Sequence, residues 1–154
     1  MFLTIHAPVG ALIGEYTNNI FLAFILGFLS HLVLDMIPHG DRDLIHWQDR
    51  KEKIKKFAHW AIGDSIVMSA LICFLYFGGY FKNPLPALMG ALGAIILDYL
   101  WGMYELTQLK LFKPFYILHF KNHDLLDKVI NPPRWSMFLI QGLILILVIY
   151  QFIH

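Results

Sequence analysis

Cys73 is the only cysteine in this chain, and it lies in an apolar stretch. A single thiol excludes an internal disulfide and any Cys-x2-Cys metal motif. Charge is scarce too. Asp, Glu, Lys and Arg supply 15% of the 154 residues, and the net charge is +1. Soluble domains carry nearer a quarter charged residues, and no basic face is available for nucleic acid, so none is expected as a partner. There is no Walker loop, no dinucleotide-binding glycine fingerprint after a strand and no Gly-x-Ser-x-Gly elbow. No inverted repeat of the transporter type is evident. The N-terminal stretch lacks the positive region of a secretory signal and reads as mature sequence.

What remains is apolar. Hydrophobic residues make up 58% of the chain and the mean hydropathy is +0.59. Apolar stretches fall at about 2–14, 20–37, 58–81, 85–106 and 136–153. About 20 residues are needed to cross a bilayer as a helix. The last four stretches meet or approach that length, whereas the first suits a half-helix or re-entrant segment. Thr17-Asn18-Asn19, Lys82-Asn83-Pro84 and Pro132-Pro133 punctuate the series, because prolines and short polar residues interrupt helices. The expectation is one all-α integral membrane domain over residues 1–154. It is a polytopic bundle of four to five spans with a short interfacial helix in the last inner loop.

Segments 40–57 and 107–135 hold 11 of the 12 Lys and Arg residues. The positive-inside rule assigns both to the cytoplasm, as in a prokaryotic inner-membrane protein. With that orientation the ionisable side chains fall at similar depth on the inner side.

Those side chains carry the chemistry. His31-x3-Asp35-x3-His39 and His119-x3-His123-x3-Asp127 each place three ionisable residues four apart. Such steps return to nearly the same helix face. His6, Asp64 and Asp98 join them at matching depth, and Asp98 has no Lys or Arg in its own apolar stretch. A carboxylate buried without a cation protonates or finds a metal.

Plainer roles exist for the same residues. His31 and Asp35 can serve as hydrogen-bonded packing glue between helices. Asp64 can be a helix cap beside Gly63, and Asp124 and Asp127 can pair with Lys121 and Lys128 on a solvated face. His39 follows Pro38 and so belongs to a turn. Gly10, Gly14, Gly90, Gly93 and Ala94 suit close helix approach. Trp47, Trp60, Trp101 and Trp135 mostly fall near the proposed boundaries, as an interfacial belt would.

Thr4-Ile5-His6 with Gly10 and Gly14, followed by Ser30-His31-x3-Asp35-x2-Pro38-His39-x-Asp41, resembles small membrane-bound metal-dependent hydrolases. These are related to the all-helical zinc-dependent phospholipase C and single-strand nuclease superfamily. The resemblance covers mainly the first 45 residues. It implies His6, Asp35 and His39 as metal ligands, with Asp41 a further candidate. His31, Asp98, His119 and His123 match the later ligands in type.

The sequence therefore points to a divalent metal held by His6, His31, Asp35, His39, Asp98, His119 and His123, or a subset of them. Zn²⁺ suits a His/carboxylate mixture, with Mn²⁺ or Fe²⁺ as alternatives. Asp64 is the candidate general base or orienting residue. The expected activity is hydrolysis of a phosphoester, on a phospholipid or lipid-linked phosphate, at the cytoplasmic membrane face. The competing readings are an ion or proton pathway built on Asp35, Asp98 and the histidines, and a structural or partner-binding membrane protein.

Overall fold

A computed structural model describes residues 1–38, 50–130 and 133–154, and every regular element among them is helical. The order is α1 (Leu3–Thr17), α2 (Ile20–Met36), α3 (Arg50–Phe77), α4 (Pro84–Thr107), a 3-10 turn (Lys110–Phe112), α5 (Lys113–Ile130) and α6 (Arg134–Ile153). His39, expected as a ligand, and Asp41 lie outside the described residues.

Local chemistry sets the helix ends. Asn18 adopts the left-handed conformation that stops α1, with φ 49°. Asn19 then caps α2, its side-chain oxygen accepting from the Phe21 and Leu22 N–H groups at 3.0 Å. Gly79, with φ 73°, turns the chain after α3. Pro84 opens α4, where its missing N–H costs nothing.

Lys51–Phe77, Pro84–Thr107 and Trp135–Ile153 are long and apolar enough to cross a bilayer. The all-helical expectation is met, with three candidate spans among the described residues where four to five were expected. At 15 and 17 residues, α1 and α2 are shorter. They reach only ~22 and ~25 Å at ~1.5 Å per residue, against a hydrocarbon core of about 30 Å.

Helices α1, α2 and α4 form the centre of the bundle. Their backbones touch: a Cβ added to Gly10 or Gly27 would collide with the Gly90 carbonyl, and one added to Gly93 with the Phe24 carbonyl. The small residues read as packing sites are packing sites. Two carboxylates reach across to cap neighbouring helices. Glu15 at the end of α1 accepts from the backbone N–H groups of Lys82 and Asn83 at 2.9 and 3.0 Å, at the start of α4. Asp64 does the same for the start of α1. Its carboxylate accepts from Leu3 N–H at 2.5 Å and Thr4 N–H at 3.2 Å, and it also takes the Thr4 hydroxyl.

Because α1 and α2 are short while α4 has 24 residues, one end of the bundle has a recess. Helix α5 lies over it. The Asn122 side chain donates to the Leu32 carbonyl at 2.7 Å, pinning α5 to the last turns of α2. Trp101, Phe120 and Tyr116 form an aromatic chain along the seam, with centroids 5.7 and 4.5 Å apart.

Candidate metal centre

The recess under α5 collects side chains from four helices. Asp35 is its hub. From the last turn of α2, Asp35 Oδ1 lies 3.0 Å from His6 Nε2 on α1 and 2.9 Å from the Met1 nitrogen. Its other oxygen, Oδ2, lies 3.1 Å from His31 Nε2 and 3.4 Å from His119 Nδ1. On α4, Asp98 Oδ1 is 3.7 Å from His119 Nδ1, and its Oδ2 is 3.8 Å from His31 Nδ1. His6 and His31 have no solvent exposure, Asp35 and His119 almost none, and the Asp98 side chain is 14% exposed.

The hydrogen bonds around this hub orient the donors. His31 Nδ1 is 2.8 Å from the Ala94 carbonyl oxygen. A carbonyl only accepts, so Nδ1 carries the proton in the neutral ring and Nε2 presents its lone pair. That lone pair faces Asp35 Oδ2. Two acceptors opposed at this range, out of water, require a proton or a cation between them. His119 Nδ1 and Asp98 Oδ2 are likewise buried without a hydrogen-bond partner among the described residues. One proton relieves one contact, whereas one metal ion relieves all four atoms.

Distances agree with that choice. His31, Asp35, Asp98 and His119 each offer a ligand atom, and all four lie within 4.8 Å of one another. A tetrahedral ion with bonds of ~2.0–2.1 Å has ligand-to-ligand edges near ~3.4 Å. The His31–Asp35 and His119–Asp35 separations of 3.1 and 3.4 Å lie close to that value, while the whole group spreads over as much as 4.8 Å.

Each donor has its own support. Asp35 is held by His6 and His31 by the Ala94 carbonyl. Asp98 accepts the Trp101 indole N–H at 2.9 Å. The same indole stacks on His119, centroid to centroid 4.8 Å at 20°. Partners of this kind set ring orientation and ligand basicity. Burial pushes His119 down to about 4, against the opposing pull of Asp35 and Asp98. A neutral imidazole is the form that binds metal.

Four of the residues singled out from sequence thus converge, His31, Asp35, Asp98 and His119. His6 is adjacent, 3.0 Å from Asp35 Oδ1 and stacked on the His31 ring with centroids 4.2 Å apart. His123 is buried one turn along α5, its ring 5.8 Å from that of His119 and outside the four-atom group. Asp64 directs its carboxylate at the start of α1. Trp101 is buried against the centre. Its three-residue step from Asp98 puts both on one helix face, which was the available signal. The Ala94 carbonyl had none.

Asp98 and His119 also line a cavity of about 670 Å³ bounded by α3, α4, α6 and the start of α1. The wall is otherwise mostly apolar. No protein-family profile matches this chain, and neither the curated proteins nor the solved structures give a significant match.

Proposed function

We propose that this chain is a membrane-embedded, metal-dependent hydrolase acting on a phosphoester at the cytoplasmic face of the membrane. The observation that carries the reading is the opposition of His31 Nε2 and Asp35 Oδ2, joined by His119 Nδ1 and Asp98 Oδ2, each without a hydrogen-bond partner among the described residues. Two imidazoles and two carboxylates suit Zn²⁺ first, with Mn²⁺ or Fe²⁺ compatible. A divalent ion held there by His31, Asp35, Asp98 and His119 would supply Lewis acidity toward a phosphoryl oxygen and activation of water.

The side chains divide the remaining work. His31, Asp35 and His119 are the inner three ligands. Asp98 is the most exposed of the four and faces the cavity, so substrate would approach the centre from its side. His6 and Trp101 are positioning residues, acting on Asp35, Asp98 and His119. Asp64 anchors α1 and thereby His6. Helix α2 as a further span, and the lysine-rich segments on the cytoplasmic side, complete the reading; positive-inside charge supports the latter.

The test is metal content of protein purified in mild detergent without a histidine tag, followed by hydrolysis of bis(p-nitrophenyl) phosphate. About one metal per chain, as a four-ligand centre requires, with hydrolysis lost in His31→Ala/Asp35→Ala, supports the reading. Wild-type protein that stays metal-free after loading with Zn²⁺ or Mn²⁺ overturns it. In that case the proton or ion pathway accounts for the buried carboxylates, and sensitivity of proton flux to Asp98→Asn distinguishes it from a structural role.

A further inference from the structure

The cavity beside the metal centre has a shape and position that go beyond phosphoester hydrolysis in general. Helix α3 is braced at its middle on the start of α1, through Asp64, and meets α4 chiefly through a few side chains. One is Lys53, paired with Glu105 at 2.8 Å. Another is Phe57, whose ring lies 4.9 Å from Trp101. Between these helices a slot remains, and its α3 wall runs from Phe57 to Ser69. That wall is ~18 Å long at ~1.5 Å per residue, close to half of the ~30 Å hydrocarbon thickness. It begins next to the lysines at the start of α3.

The slot opens sideways. Ile62 and Ile66 on α3, with Met103 and Leu106 on α4, line it and are 41–64% exposed. Both helices are long and apolar enough to cross a bilayer, so the surface around the opening is one that lipid covers. A volume of about 670 Å³ falls in the range of sites that enclose a small ligand. Polar groups are few in the wall: Asp98, His119, Asp64, Ser69, Gln141 and the Ser65 hydroxyl, which is 3.1 Å from the Tyr99 hydroxyl. An apolar chain with one anionic ester along its length matches this distribution, and a water-soluble phosphoester does not.

The geometry points to the α3–α4 slot as the binding site for one acyl chain of a membrane phospholipid, entering laterally and bringing its phosphoester alongside Asp98 and His119. The inference rests on the hydrolase reading and names its substrate class. Occupancy needs no soluble phase: the chain exchanges one hydrocarbon environment for another, so affinity comes from shape and from the ester at the metal centre rather than from the hydrophobic effect.

The full chain would be reconstituted in phosphatidylglycerol vesicles doped with a phosphatidylglycerol bearing a diazirine on one acyl chain. After irradiation, labelled peptides would be mapped by mass spectrometry. Labelling is expected to be severalfold denser on 57–69 and 99–106 than on Leu143, Ile146 and Leu147 of α6, which are exposed but outside the slot. Ala58→Phe and Ala61→Phe, each filling the slot from α3, should reduce that excess to the α6 level at unchanged helicity and metal content. Even labelling of all exposed apolar faces, or excess labelling that survives in both filled variants, overturns the acyl site. Metal content of the same samples separates the two readings. Dense slot labelling in a chain that binds no metal upholds the acyl site and removes the hydrolase. Metal-replete protein with even labelling removes the acyl site and leaves the hydrolase.

Discussion

His31 Nε2 and Asp35 Oδ2 face each other at 3.1 Å, one helical turn apart, and neither has a hydrogen-bond partner among the described residues. The Ala94 carbonyl fixes the other ring nitrogen as the donor. The pair is therefore arranged for a shared cation. Removing either member should abolish stoichiometric metal while leaving helicity intact. Elemental analysis and circular dichroism of His31→Ala and Asp35→Asn check this. Metal retained in both variants places the ion elsewhere.

Trp101 serves two ligands, donating to Asp98 and stacking on His119. Trp101→Phe keeps an aromatic face and deletes the N–H, leaving Asp98 Oδ1 without that donor. Loss of an orienting hydrogen bond typically weakens metal binding by ~10–100-fold, and the lower part of that range is expected here. A competition titration against a chelator measures it. Unchanged affinity removes Trp101 from the centre.

Asp64 tests whether its carboxylate anchors or catalyses. Asp64→Ala strips the cap from α1 and should cost ~1–2 kcal/mol of stability, whereas Asp64→Asn keeps an acceptor and should recover most of it. Thermal unfolding in detergent reports the difference. Full stability in Asp64→Ala with hydrolysis lost would instead make Asp64 the general base.

Two glycines should respond in opposite directions. Gly90 meets the Gly10 backbone so closely that Gly90→Ala must separate α1 from α4, a cost of ~1–3 kcal/mol by analogy with overpacked cores. Gly63 sits within α3 with nothing within 4 Å of an added Cβ, so Gly63→Ala should gain ~0.5–1 kcal/mol from helix propensity. Unfolding midpoints of both variants decide it, and equal shifts contradict the packing described.

Burial lowers His119 to about 4 from 6.5. The unfolded chain therefore binds a proton there before the folded chain does, and the stability contributed by neutral His119 is present above 6.5. It is lost progressively as pH falls from 6.5 toward about 4. Metal-free protein should show a falling unfolding midpoint across that window, and His119→Phe a flatter profile. A profile unchanged by the substitution assigns the titration to another group.

Much of this protein was legible without coordinates because its chemistry is periodic. Apolar runs divided by Asn, Gly and Pro specify helices, and four-residue steps place His31 beside Asp35 and His119 beside His123 whatever the partners are. Asp98 stood out because its apolar stretch held no cation. Small residues at Gly10, Gly90 and Gly93 announced close approach, although not of which helices.

The choice among ligands was tertiary. His123 and Asp98 were both candidates in sequence, His123 ahead of Asp98; Asp98 reaches the four-residue group from α4, whereas α5, docked through Asn122, brings in His119 and leaves His123 outside it. Span number likewise depended on length: at 15 and 17 residues, α1 and α2 are shorter than the three helices long and apolar enough to cross a bilayer. Backbone carbonyls carry no residue signature, so the contact of Ala94 with His31 could arise only from packing. Asp64 shows the same division. Its charge and depth were evident in sequence, but which helix start it would cap depended on where α1 came to rest. Composition and periodicity determined an all-helical membrane-type chain with a His/Asp centre. Helix docking, through glycine contacts and one asparagine, decided which four side chains meet and which cavity they face.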